Sequence, residues 1–391
     1  MKKIISLILV LVLIVSMLQT LSLTLFAETS TSVWDGSITK PAGTGAESTP
    51  YLITNGSELA WYIKFAEDWK NTRFAKLTDD IYLNDITKIN WETGESENGY
   101  TPNEWFQYTS SSDKTIGDKF LGNLNGDGHA VYGLYFNKPE SVASIGLIPI
   151  QANDYSITVK NLGIDKSYIA SNGKSSAIFG CAEGVDKIIE NCYVGKDVTI
   201  IGKCAGVALG SGQKITINKF YSLAKTTGST YYGVIADSWG TKSLSNAFAV
   251  GTAITSKTSN TIPCTNVYAD NTLGASGAEM RTADNMQGLD ALTSNTKMSG
   301  LAECGAFVAT EGYPALTVFP IIEEEPTLSV WDGTVAKPDG AGTESDPYKI
   351  TNGSELAWFI RLFDDWKNTR YAVLTDDIYL NDVAKIDWAT G

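Results

Sequence analysis

A single histidine, His129, and four arginines, Arg73, Arg281, Arg361 and Arg370, limit the chemistry open to this chain of 391 residues. One histidine excludes HExxH metalloprotease sites, multi-histidine zinc sites and most histidine-dependent triads. There is no Gly-x-Ser-x-Gly, hence no nucleophile elbow. Asn123, Asn125 and Asp127 before Gly128 imitate the start of a calcium loop, but the twelfth position is Leu134 where a bidentate Glu is needed. That segment reads instead as a turn. Gly173-Lys174-Ser175 lacks the first glycine of a phosphate loop, since Tyr168 stands there. Asp79–Asp80 with Asn84–Asp85, and Asp376–Asp377 in a second copy, have oxygen-rich spacing for Ca²⁺ but read as solvated turns. Asp165, Asp186, Asp197 and Asp237 are scattered without the paired spacing of acid hydrolysis. No arginine lies between Arg73 and Arg281 to serve as a lyase base. His129 reads as a structural hydrogen-bonder. No residue qualifies as catalytic, cofactor-binding or metal-binding.

The charge balance narrows the partners. Lys plus Arg number 30 against 44 Asp plus Glu, a net charge of −14, which becomes −16 once Lys2 and Lys3 leave with the leader. Such a surface repels phosphate backbones and anionic head groups, so nucleic acid is excluded as the main partner. Residues 1–27 read as a signal peptide: Lys2 and Lys3 form the cationic start, Ile4–Leu18 the apolar core, and Ala27 the end. Leu25 fits the small-residue rule poorly, and Ile4–Ala27 is long enough to remain as an anchor. Cleavage and export are the expectation, with membrane attachment only through the leader or a C-terminal anchor beyond Gly391. Cys181, Cys192, Cys204, Cys264 and Cys304 are odd in number and lack CxxC spacing, so they read as small buried hydrophobes.

Elements that would position any site come from two repeats. Residues 32–94 recur at 329–391 with an offset of 297, and 44 of the 63 aligned positions are identical. Each copy reads as strand, helix, strand. Asn55 with Glu58 three residues on is a helix-start pattern, followed by an apolar stripe of Leu59, Tyr62, Ile63, Ala66 and Trp69. That stripe must dock on a larger body. The second copy ends within the repeating unit, which implies a fragment in which Trp358, Phe359 and Trp366 lack support.

The body carries a shorter repeat. VYGLYFN (131–137), VKNLGID (159–165), IENCYVG (189–195), INKFYSL (217–223) and LSNAFAV (244–250) start 28, 30, 28 and 27 residues apart. GLIP (146–149), AIFG (177–180), GVAL (206–209) and GVIA (233–236) advance with them by 31, 29 and 27. Two strand signatures sharing one period imply a parallel β-solenoid, with coils ~4.8 Å apart and like residues stacked on like. Val159, Ile189, Ile217 and Leu244 are expected to stack inward. Gly133, Asn161, Asn191, Lys219, Asn246 and Asn266 occupy the polar position, where asparagines at a bend would form an amide ladder.

GNLNGDGHAVYGLYF (122–136), NLGI (161–164), ENCY (190–193) and GVALG (206–210) together resemble bacterial surface proteins with GLUG-type repeats. SVWDG, ELAW and LTDDIYLN in the flanking module are similar to the part of those proteins that precedes the first coil. The resemblance spans nearly all of 32–320, with departures at Lys219 and in GLIP and AIFG. It implies a right-handed parallel β-helix within a large, multi-module, Gram-positive extracellular protein, and no particular enzyme reaction.

The expected organisation is therefore mainly β. A signal peptide (1–27) precedes an N-terminal α/β cap module (28–115) and a right-handed parallel β-solenoid with GLUG-like coils (116–274). A C-terminal cap (275–320) follows, with Ala278–Leu292 helical and YPALTVF (313–319) a closing strand. An acidic linker (321–328) then leads to a truncated second cap module (329–391). The expected function is a secreted or cell-surface, non-catalytic structural or adhesive module binding extracellular polysaccharide or host or matrix protein. A polysaccharide lyase or glycoside hydrolase on the same scaffold is the alternative.

Overall fold

The computed structural model describes residues 32–64, 73–108, 122–142, 144–149, 156–180, 186–209, 214–236, 241–256, 261–320, 330–361, 369–375, 378 and 380–381. The leader, the acidic linker, Trp69, Cys181, Asp237, Trp366 and Asp376–Asp377 lie outside these residues. The chain divides into two compact units, the first up to Pro320 and the second from Ile321. It is mainly β, and most strand pairing is parallel.

The first unit begins with β1 (Tyr51–Ile53), α1 (Gly56–Lys64), β2 (Arg73–Leu77), β3 (Ile81–Tyr82), β4 (Gln107–Tyr108), β5 (Gly122–Tyr132), β6 (Tyr135–Lys138) and β7 (Ser144–Ile145). It continues through β8 (Ile157–Asp165), β9 (Ser167–Ser171), β10 (Lys174–Phe179), β11 (Lys187–Val194), β12 (Val198–Ala208), β13 (Ile215–Ser222), β14 (Lys225–Ile235), β15 (Lys242–Ala249) and β16 (Ile262–Ala269). One sheet runs β1-β2-β5-β8-β11-β13-β15-β16, all parallel. A second sheet takes the intervening strands, with β12 pairing β9 along its first half and β10 along its second. The chain thus crosses from one sheet to the other and back once per repeat.

Register follows side-chain chemistry. Leu124, Val159, Ile189, Ile217 and Leu244 are successive partners and all are buried. Phe136, Ile169 and Ile200 form a matching buried column in the second sheet. One continuous core results, from Trp34 to Ala269. Five strands of the large sheet, β8, β11, β13, β15 and β16, each bend at one residue with positive φ: Asn161 at 52°, Asn191 at 56°, Lys219 at 52°, Asn246 at 47° and Asn266 at 51°. Asparagine tolerates this left-handed conformation better than other non-glycine residues, which explains its recurrence. Gly206 pairs with Gly233, and a Cβ at Gly206 would stand 2.5 Å from the Gly233 carbonyl oxygen, so the spacing requires glycine. Ser176 holds the equivalent place one strand earlier; the register then shifts, and Phe179 pairs with Ala208 and with Ile148 as the alignment of AIFG with GVAL and GLIP has it.

The bends carry an amide ladder. Asn161 Nδ2 donates to Asn125 Oδ1 at 2.8 Å, Asn191 Nδ2 to Asn161 Oδ1 at 2.8 Å, and Asn266 Nδ2 to Asn246 Oδ1 at 3.1 Å. Lys219 interrupts it. Asn246 donates to Asn218 Oδ1 instead, at 2.9 Å, and the buried Asn191 Oδ1 is left without a donor. Lys219→Asn should supply that donor and relax the left-handed backbone, raising stability by ~1 kcal/mol. Urea unfolding of the full chain checks this; an unchanged or lower midpoint would count against the ladder as a stabilising element.

Three expectations are corrected. The first repeat is not VYGLYFN: β5 spans Gly122–Tyr132, with Leu124 opposite Val159 and Val131 opposite Ile164. Gly133 (φ 76°) lies beyond it, opposite the Lys166 corner rather than the asparagine bends. Second, Ala278–Leu292 is not an amphipathic helix. It holds β18 (Glu279–Met280), just after β17 (Ala275–Ser276), and a short 3₁₀ turn at Asp284–Met286. Gly288 at φ 93° interrupts helical geometry there. Third, YPALTVF contributes only β20 (Ala315–Leu316), antiparallel to β19 (Phe307–Val308). The 299–320 segment does not simply cover the last strand. It runs back over the large sheet, with Tyr313 6.1 Å from Phe248, Phe319 4.7 Å from Tyr193, and Val318 beside Gly128.

In the N-terminal part, Asn55 Oδ1 accepts from the Glu58 amide at 3.1 Å, while Glu58 Oε2 accepts from the Thr54 amide at 2.7 Å. The helix start is therefore capped reciprocally, with the return contact one residue earlier than in the usual box. Leu59, Ala60, Trp61, Tyr62 and Ile63 are buried, and the Tyr62 hydroxyl donates to the Asn123 carbonyl at 2.7 Å. The second unit repeats this design in β21 (Tyr348–Ile350), α2 (Gly353–Ile360) and β22 (Ala372–Leu374).

Candidate binding surface

In-register parallel strands place equivalent side chains in rows. Tyr193, Tyr221 and Phe248 are successive partners, and their rings stack at 5.1 Å with interplanar angles of 9° and 7°. Tyr268 follows in the same row. Before Tyr193 the row holds Gly163, whose missing side chain leaves space for the Tyr193 ring to lean over it. The Tyr193 hydroxyl then lies near that of Tyr132. Tyr132 in turn stacks on Tyr82 at 5.0 Å and 15°.

Asp165 is the register partner of Tyr132, and its carboxyl lies over Gly195. The Lys166 amide donates to Asp165 Oδ1 at 2.7 Å. Burial pushes the Asp165 carboxyl above its ordinary value, and the neighbouring Asp197 charge pushes the same way. Burial likewise raises the Tyr132, Tyr193 and Tyr221 hydroxyls well above the usual tyrosine value. Tyr82 is raised by burial and by Asp80 and Asp79. These hydroxyls therefore stay protonated at neutral pH and act as hydrogen-bond donors and acceptors. Phe248 and Tyr268 are buried beneath the 299–320 segment, whereas Tyr82, Tyr132, Tyr193, Tyr221 and Asp165 remain half-buried.

The residues singled out in the sequence fall into place differently. Asn123, Asn125 and Asp127 are engaged by other protein groups. Asn123 Oδ1 accepts from the Thr158 amide at 2.7 Å, Asn125 Oδ1 from Asn161, and Asp127 pairs with Lys76 at 2.6 Å. Asp80 Oδ1 accepts from the Ala130 amide at 2.9 Å and lies 3.4 Å from His129 Nδ1, so both groups hold the bend in β5. Among the described residues no group of three His, Cys, Asp or Glu has metal-binding geometry. Cys192 is buried and its thiol is pushed up to about 12 by desolvation, which makes it inert. Asp165 and Asp197, scattered in sequence, are brought close enough to interact. The aromatic at the fifth place of successive repeats, Tyr193, Tyr221 and Phe248, was the signal that could have revealed the row.

The fold thus defines a mainly β protein built on mostly parallel sheets. No protein-family model matches the chain, and no curated protein matches it. Among solved structures, it is similar to a Bacteroides ovatus protein described as a "putative immunoglobulin A1 protease". The TM-score is 0.39 at 15% identity, covering 72% of this chain and 96% of that one. A likeness at that level bears on neither fold nor activity. No helix among the described residues is long and apolar enough to cross a membrane.

Proposed function

We propose that the parallel repeats form a right-handed β-solenoid of GLUG type and that the chain serves at the cell surface or in secretion as a non-catalytic, adhesive binding module. Its ligands are extracellular polysaccharides or host or matrix proteins. One observation carries this reading: the two half-buried stacked pairs Tyr82–Tyr132 and Tyr193–Tyr221 beside Asp165. Stacked tyrosine pairs on a rigid sheet present apolar ring edges and protonated hydroxyls, and a carboxylate adds a strong acceptor. A rigid array of that kind suits extended, hydroxyl-rich ligands and multivalent attachment.

The alternative, a polysaccharide lyase or glycoside hydrolase, is favoured by a specific feature. A half-buried carboxyl raised by its surroundings next to a second carboxylate has the profile of a proton donor. The test uses the full chain and Asp165→Asn on pectins, xylans, mucins and peptidoglycan. Retention on at least one polymer without bond cleavage is expected, with binding weakened in the variant. Release of reducing ends or unsaturated uronates, abolished by Asp165→Asn, would establish the enzyme instead.

The same variant has a stability signature. The folded-state value of Asp165 lies above the ordinary 3.8, so ionisation disfavours the fold. The penalty develops as pH rises from that value through the folded-state one, and persists at neutral pH. Asp165→Asn should therefore unfold at higher temperature than the unsubstituted chain at pH 7, with the gap closing on acidification. A gap that widens on acidification would contradict the burial of this carboxyl.

A further inference from the structure

The two repeated modules have the same local fold and different surroundings. In the second, Tyr348 pairs with Ala372 and Ile350 with Leu374, the register of Tyr51 with Ala75 and Ile53 with Leu77 in the first. Asn352 caps α2 through the Glu355 amide at 3.1 Å, as Asn55 does through Glu58. Tyr348 packs edge-on to Trp358 at 5.2 Å, matching Tyr51 and Trp61. Tyr348 and Ile350 remain buried, so the module keeps its own interior.

The outer face differs. Leu77 is fully buried, whereas its counterpart Leu374 is 59% exposed; Ile63 is 3% exposed against 65% for Ile360. Leu59 is buried, and Leu356 is partly open. All three residues of β22 are exposed. In the first unit this face is covered by β5: Arg73, Phe74, Ala75 and Lys76 of β2 pair in parallel with Gly122, Asn123, Leu124 and Asn125. The Tyr62 hydroxyl fastens the same strand through the Asn123 carbonyl. Among the described residues, β22 pairs only with β21. An unpaired edge bordered by apolar side chains is a template for strand addition.

We infer that β22 and the adjoining face of α2 form an acceptor site for one further parallel β-strand of the Gly-Asn-Leu-Asn type that β5 supplies in the first unit. The partner's leucine would enter between Leu356, Phe359 and Leu374, as Leu124 enters the first core. Phe359 stands where Tyr62 has its hydroxyl, and Val373 where Lys76 pairs with Asp127. The acceptor therefore loses one hydrogen bond and one ion pair, and relies more on backbone pairing and apolar contact. This inference is independent of the polymer-binding reading.

The probe is a fluorescently labelled peptide of residues 122–132, added to the full chain and followed by anisotropy. Saturable binding is expected, weakened about tenfold or more by Leu374→Asp in the chain or Leu124→Asp in the peptide, as loss of a buried leucine contact implies. Leu374 is already largely exposed, so Leu374→Asp should leave thermal unfolding unchanged. Binding that Leu374→Asp does not alter would overturn the inference, as would no binding up to about 1 mM. So would a dimer abolished by Leu374→Asp in a chain that ignores the peptide, since the occupant would then be a second copy.

Discussion

Phe220→Ala is expected to destabilise the first unit by ~3–5 kcal/mol, at the upper end of core truncations. Phe220 is fully buried and its register partners are small: Cys192 on one side and Ala247 on the other. The ring thus fills space that its neighbours in the row leave empty. Removing it opens a void continuous along the stacking direction, and parallel strands held ~4.8 Å apart on both sides cannot close inward to fill it. Urea unfolding of Phe220→Ala alone and combined with Ala247→Leu measures the effect. The second change should recover part of the loss. Strictly additive losses would show that the two positions do not share one packing row.

Gly126→Ala is expected to be nearly as costly, on the order of 3 kcal/mol, for a different reason. The ordinary register between β5 and β8 shifts between Asn125 and His129, and Gly126 lies against the backbone of the neighbouring strand there. A Cβ would stand 2.2 Å from the Asn161 carbonyl oxygen and 2.6 Å from the Leu162 Cα. Backbone cannot rotate aside as a side chain can, so the two strands must separate and the Asn125–Asn161 bond is lost. Gly312→Ala is the control, since its Cβ would meet only Thr310 Oγ1, at 3.8 Å. Circular dichroism melts should show a large drop for the first variant and none for the control. Equal melts would mean that β5 tolerates displacement at this point.

What was legible in the sequence was what repeats locally. Val159, Ile189, Ile217 and Leu244 recur at near-constant spacing because each faces the same interior, and the asparagines recur because each bend needs the same left-handed backbone. The cap at Asn55 was legible because donor and acceptor lie within three residues. The first repeat was placed wrongly because VYGLYF has the aromatic outline of its successors, whereas β5 carries extra residues at its bend that no period anticipates. The helix expected over Ala278–Leu292 failed because apolar spacing was weighed without the break at Gly288. The surface around Asp165 was not legible. Its burial depends on Tyr132, 33 residues earlier, and Tyr193, 28 residues later, and on a glycine at position 163 that lets Tyr193 lean across.

The return of the 299–320 segment over the large sheet has a mechanical consequence. A pull applied to the chain at Pro320 would not first reach β16, its neighbour in sequence. It would load Phe319 against Tyr193 of β11 and Val318 beside Gly128 of β5, three and five strands away from β16 in the sheet. The strands between are then bypassed while those contacts hold, and the aromatic clasp acts as a fuse. Once it yields, tension shifts to the last strand, and the repeats can peel away singly, each releasing roughly 100 Å of extended chain for ~28 residues. A tether of this form would give way in steps and so dissipate a sudden load instead of breaking at its attachment.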